Sequence, residues 1–218
     1  MKVEAELDAI RALKSKATAL RNREKFEKAL ATLDATVAAL EKLGSEHAED
    51  PAAASAIRAE LADTFGMKGG VYRRLAQLDA AFKEYEKGLS IEQIDRQSTY
   101  NLSNVIMLGI VEEGISPTDP EMRHRLERAI AQLEQETQGP RSDEWWAWSD
   151  LATFYLLANE MDKARHTYAL GRRTGPAAEE IRRHITVLQE LCKATAEKAP
   201  EVSKNIRAAI DELAPFGA

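Results

Sequence analysis

Two adjacent arginines, Arg73 and Arg74, close a segment that packs Gly66, Gly69 and Gly70 into one helical turn. A guanidinium fork matches the geometry of a carboxylate or a phosphate. Each glycine costs a helix roughly 1 kcal/mol relative to alanine, so three in one turn need a reason. Contact with a neighbouring helix accounts for Gly69. Gly66 and Gly70 would leave room for the backbone of a ligand or partner. The competing reading pairs the arginines with Glu84 or Glu86 and lets the glycines relieve crowding. Asn101 and Asn104 stand three apart on one helix face. Their amides suit either the polar edge of a ligand or the ends of neighbouring helices. Trp146 and Asp150 are further candidates from one expected helix face, with Trp146 as an aromatic anchor. Trp145 and Trp148 read as packing residues.

The same search for catalytic and metal chemistry leads elsewhere. Glu112-Glu113 and Glu179-Glu180 are sequence neighbours, so on a helix their carboxylates point apart. His47, His124, His166 and His184 are scattered without zinc spacing. Cys192 falls on an apolar stripe with Ile185, Leu188 and Leu191 and reads as core. Arg172-Arg173 and Arg182-Arg183-His184 make a basic spot that reads as a solvated face. The expectation is a protein that is not an enzyme, with no cofactor and no metal. A net charge of −6 argues against general nucleic-acid binding. Met1–Glu6 lacks an apolar signal segment, and no run approaches the roughly 18 apolar residues of a membrane span. With a single cysteine, these features imply a cytoplasmic chain that does not engage a membrane.

The elements that must hold these residues are helices. Glycine (11) and proline (7) are few for 218 residues, which leaves long uninterrupted stretches of good helix formers. Val3, Leu7, Ile10, Leu13, Ala17 and Leu20 form one apolar stripe, and Phe26, Leu30, Leu33, Val37 and Leu40 a second. They imply a hairpin that turns at Arg21-Asn22-Arg23, with Asn22 suited to a left-handed helix end, and that closes at Gly44. Asp50-Pro51 and Asp119-Pro120 read as cap-plus-first-residue signals. Helices are expected over 51–75, 79–89, 97–113, 121–138, 142–158 (capped by Ser142), 161–173, 177–196 and 201–213. Gly114–Thr118, Gly139-Pro140 and Gly175-Pro176 read as breaks. No stretch shows the period-two alternation of a strand.

Self-similarity is the strongest signal. Trp148, Leu151, Ala152, Tyr155, Ala164, Tyr168, Gly171 and Pro176 have the spacing W-x2-L-A-x2-Y-x8-A-x3-Y-x2-G-x4-P. This closely resembles the tetratricopeptide repeat. Small residues at Ala152 and Ala164 let two helices approach, aromatics fill the gaps, and Pro176 stops the second helix. Phe65, Gly69, Tyr72, Ala81, Tyr85 and Gly88 repeat the pattern, with Lys68 where leucine is usual and Gln93 where proline is usual. Leu13, Ala17, Leu20, Ala29 and Leu33 give a degenerate copy, with Thr36 where a smaller residue is usual. The copies at 62–95 and 145–178 start more than two repeats of roughly 34 residues apart, so an irregular pair lies between them.

A narrower resemblance rests on Gly69-Gly70-Val71-Tyr72-Arg73-Arg74, on Tyr100-Asn101-Leu102-Ser103-Asn104 and on Trp146-Ala147-Trp148-Ser149-Asp150-Leu151-Ala152. Over about residues 55–175 the chain resembles the tetratricopeptide-type TRAFs-binding domain of stress-activated MAP kinase kinase kinases and its bacterial relatives in defence or signalling systems. That resemblance implies a scaffold or sensor, here without the glycine-rich loop or His-Arg-Asp run of a kinase.

These observations predict an all-α, right-handed solenoid of about five antiparallel helix pairs without a sheet. It would be a single domain over 1–218: an N-terminal hairpin (1–44), core repeats (51–175) and capping helices (176–218). The first helix of each pair would show a concave face. In one copy that face holds Asp63, Gly66, Met67, Gly70, Arg73 and Arg74. In the last it holds Trp146, Ser149, Asp150, Thr153 and Leu156. A partner protein or peptide is expected there, with a small anionic, nucleotide-like ligand as the alternative. Homo-oligomerisation stays open.

Overall fold

The stripes and caps produce ten α-helices among the described residues, which are 2–95, 99–139 and 141–217 of a computed structural model. They are α1 Lys2–Asn22, α2 Phe26–Glu46, α3 Pro51–Arg74, α4 Leu78–Asp95 and α5 Tyr100–Val111. There follow α6 Pro120–Thr137, α7 Trp145–Leu157, α8 Met161–Gly171, α9 Ala178–Thr195 and α10 Pro200–Leu213. Among the described residues there is no strand. None of the helices is long and apolar enough to cross a membrane.

The caps form as their chemistry requires. The Asp50 carboxylate accepts the N–H groups of Ala52 and Ala53, both at 3.1 Å, and Asp119 accepts those of Glu121 and Met122. Other boundaries move. Ser142 does not cap α7; its carbonyl accepts the Trp148 indole N–H at 2.8 Å, and the helix starts after Glu144. Gly44 does not end α2, because it lies inside the helix with open contact to Ile57. Asn22 is still helical, and α4 runs on past Leu89 to Asp95. The proposed start at Gln97 and the break at Pro140 lie outside the described residues.

Three hairpin turns share one geometry. Glu24 (φ 58°), Ala76 (φ 54°) and Asn159 (φ 64°) adopt the left-handed conformation. In each turn the next residue donates its N–H five positions back: Lys25 to Leu20, Gln77 to Tyr72, Glu160 to Tyr155. This is the Schellman closure of a helix end. Leu20, Tyr72 and Tyr155 hold the same offset in the three sequence copies. The three sequence copies thus share one turn geometry at matching positions.

The chain divides into two compact units, Met1–Val105 and Ile106–Ala218. In the first, α1, α2 and α3 pack in antiparallel succession. Leu7 and Ile10 meet Leu40, Leu43 and Ile57 in one apolar cluster; Ala17 meets Ala29, Leu33 and Val71 in another. Thr36 is tolerated at zero exposure because its hydroxyl donates to the Thr32 carbonyl one turn back. Lys68, the departure from leucine, is a cross-link: its ammonium pairs with Asp34 of α2 at 2.8 Å and Glu84 of α4 at 3.0 Å.

The second unit is built around α7, whose sequence WWAWSDLATFYLL is apolar on nearly every side. Helices α6, α8 and α10 all pack on it. Ser149, Thr153 and Leu156, expected on a concave face, are buried. A helix apolar nearly all round is a core helix, so Ser149, Thr153 and Leu156 serve packing, while Trp146 on the same face stays exposed. Ala152 and Ala164 are completely buried, as close helix approach demands. A cleft of about 340 Å3 lies between α6, the α7–α8 turn and α10, floored by Leu126, Leu157 and Val202.

Candidate functional site

The glycines divide by what surrounds them. A Cβ on Gly69 would lie 2.7 Å from the Tyr85 ring, so helix contact accounts for it. A Cβ on Gly66 would lie 2.6 Å from the Tyr100 ring and 2.9 Å from Asn101 Oδ1. Gly66 therefore makes room for α5, not for a ligand. On Gly70 the nearest atoms would be the Tyr85 and Tyr100 hydroxyls, both at 3.8 Å, an ordinary contact. Packing does not require a glycine there, and Gly70 is half-buried.

The two asparagines also part company. Asn101 is completely buried. It slots against Gly88, where an added Cβ would lie 2.4 Å from its amide carbon, and donates to the Ala62 carbonyl (3.0 Å) and Glu92 Oε1 (2.8 Å). Buried Glu92 also accepts the backbone N–H groups of Asn101 and Leu102, placing a carboxylate at the N-terminus of α5. Asn101 thus fixes α5 against α3 and α4 from within and cannot be a surface anchor. Asn104 is buried as well, at 5% exposure, but it meets Arg73. Its Nδ2 donates to the Tyr100 carbonyl at 2.8 Å, which turns Oδ1 toward Arg73 to accept from Nη1 at 2.9 Å.

Arg73 is half-buried and is held by a neutral amide. Among the described residues it pairs with no carboxylate. Glu84, one expected partner, is engaged by Lys68 and Lys87. Arg74 is exposed and stands apart from this cluster. Beneath lie Tyr85 and Tyr100, edge to face with ring centroids 6.1 Å apart. Burial above all raises both phenols from their ordinary value, with Arg73 pulling the other way, so both stay neutral hydroxyls. The Tyr100 hydroxyl feels the Asp63 carboxylate, which raises it further, and the opposing charges of Arg73 and of Arg21 from α1, whose Nε is buried without a hydrogen-bond partner. Arg21, Tyr85 and Tyr100 were missed in the sequence. The aromatic signal was there, since Tyr85 is a repeat position, but it read only as packing.

Gly70, Arg73 and Asn104 thus come together, with Asn101 behind them. Trp146 and Asp150 belong to the second unit. Trp146 is 39% exposed, and the Arg141 guanidinium lies 4.4 Å from its ring centroid. Asp150 is half-buried, and burial pushes its carboxyl up to about 7, with Glu136 adding to the shift and Arg141 opposing it. Trp145 is buried against Tyr168 and His184, as a packing residue should be. The His184 Nε2 meets the Tyr168 hydroxyl at 2.8 Å, and burial lowers the imidazole to about 4, so the ring is neutral. Among the described residues, no group of three or more His, Cys, Asp or Glu could hold a metal ion.

No protein-family model and no curated protein matches this chain.

Proposed function

We propose that this protein is a non-catalytic recognition module of the tetratricopeptide type, a right-handed solenoid of helix pairs of the TRAFs-binding kind. In this reading its first unit seats an anionic group of a partner protein or peptide on Arg73. The observation that carries it is the half-buried guanidinium, steered by Asn104 and unmatched by any carboxylate among the described residues. A fixed cation with unused N–H donors is what a carboxylate or phosphate requires. Gly70 lets a backbone approach beside it, and the neutral hydroxyls of Tyr85 and Tyr100 add no repulsion. The three matching turns support the repeat architecture.

The test is calorimetric titration of the full chain with an acetylated tetraglutamate peptide, a phosphoserine peptide, ATP and pyrophosphate. At least one should bind, and Arg73→Gln should weaken it about 10- to 100-fold, the worth of a charge-assisted hydrogen bond. Binding of the peptides alone identifies a partner segment; binding of ATP alone identifies a small anionic ligand. If none binds, or if Arg73→Gln binds as the wild type does, the reading fails.

A further inference from the structure

We propose that the Trp146 face of the second unit is a guanidinium-binding subsite, filled in cis by Arg141 and built to accept an arginine side chain of a partner. Three independent features define it. Trp146 is one of the two large hydrophobic side chains left exposed among the described residues, and its ring is stacked by a guanidinium. Buried Glu136 holds that guanidinium through Nη1 at 2.7 Å. Asp150 lies one helical turn beyond Trp146 and makes no hydrogen bond or ion pair among the described residues.

The chemistry is that of planar-cation recognition. An aromatic face attracts a cation within about 6 Å of its centroid, and a carboxylate at the edge fixes the fork. Arg141 already occupies such a place, which demonstrates that the wall and the edge fit a guanidinium. It reaches the site from the connection between α6 and α7, not from a helix. Its hydrogen bond goes to Glu136, and Asp150 feels the Arg141 charge without a hydrogen bond to it. A half-buried carboxylate without a hydrogen-bonded cation is costly, and an arriving guanidinium that donates to it lowers that cost. The occupant is therefore a basic segment that presents an arginine, engaging Asp150 beside the stack or replacing Arg141 on the ring. This subsite is independent of Arg73 and uses the opposite charge.

The experiment follows the tryptophan fluorescence and the NMR indole N–H signal of Trp146 in the full chain. It titrates the tripeptide acetyl-Gly-Arg-Gly-amide, with acetyl-Gly-Gln-Gly-amide as control. Arg141→Ala, which removes the competitor in cis, should bind the arginine peptide at least about tenfold more tightly than the wild type. Asp150→Asn in the same background should abolish the gain, and the glutamine peptide should give no saturable signal. Circular dichroism verifies that the variants are folded. Should Arg141→Ala unfold the chain, Arg141→Gln serves, since it keeps length and loses only charge. The proposal is overturned if the folded variant binds both peptides alike, binds neither, or binds the arginine peptide as well after Asp150→Asn.

Discussion

Replacing Asp150 by asparagine should stabilise the protein, and by an amount that depends on pH. Its carboxyl is pushed from 3.8 up to about 7, first by burial and then by Glu136. The folded chain therefore keeps this proton to higher pH than the unfolded chain does. Between roughly pH 4 and 7 the unfolded state binds fewer protons than the folded state, so stability falls as pH rises. Asp150 contributes fully below its unfolded value and loses that contribution as pH climbs through about 7. Near pH 5 the ionisation penalty is about 1.5 kcal/mol, and above pH 8 it levels off at about 4 kcal/mol. Asparagine carries no such term. The stability difference between Asp150→Asn and wild type should thus be larger at pH 8 than at pH 5 by on the order of 3 kcal/mol. Urea melts at the two pH values measure it directly. A constant difference would mean that Asp150 titrates as an ordinary solvated carboxylate, and the argument from its burial would fail.

Four other outcomes follow from the same geometry. His184 works in the opposite sense: its imidazole falls to about 4 on burial, so stability is complete above about 6.5 and about 3 kcal/mol drains away toward pH 4. His184→Phe should flatten that acid limb in a thermal-melt series. Gly69→Ala drives a methyl to 2.7 Å from the Tyr85 ring and should cost about 1–3 kcal/mol by chemical denaturation, whereas Gly70→Ala should stabilise by up to about 1 kcal/mol. Ala76→Gly relieves a left-handed alanine and should raise stability by about 0.5–1 kcal/mol in urea melts. Lys68→Met removes the cation between Asp34 and buried Glu84 and should cost about 3 kcal/mol in the same assay, a loss that Glu84→Gln in the double variant partly restores.

What could be read from the chain follows from which forces are local. Helix existence was legible because apolar spacing and the Asp-Pro caps act within a few residues of themselves. The packing roles of Ala152, Ala164, Gly69 and Gly171 were legible because contact between adjacent helices selects small residues at fixed offsets. Boundaries were less so: Ser142 is an acceptable cap by type, but its carbonyl is claimed by the Trp148 indole, a choice made by packing. The site was half legible. Gly66 and Gly70 look alike in sequence, and only the third helix distinguishes them, since Tyr100 presses on one and leaves space at the other.

The asparagines show how a position that orients Arg73 and a position that packs helices together can share one motif. Asn101 and Asn104 lie three residues apart on α5, so they face similar directions while sitting at different heights along the helix. The height decides their fate. Asn101 meets Gly66 and Gly88, where two backbones come close enough to enclose an amide, and it becomes part of the interior. Asn104, nearly a turn further, meets the end of α3, where a long side chain reaches from Arg73 to its carbonyl oxygen. The inner asparagine fixes the angle of α5, and that angle sets where the outer one aims the guanidinium. Disturbing Asn101 should therefore weaken the anion binding proposed for Arg73 without touching the anion. Asn101→Asp tests this with little change in shape: it sets a second carboxylate beside Glu92, shifts α5 and should lower affinity at Arg73 along with stability. Asn104→Ala removes a buried amide that holds two hydrogen bonds, so it should lower affinity and cost about 1 kcal/mol of stability, less than Asn101→Asp costs. Equal losses of stability in both variants would refute this division of labour.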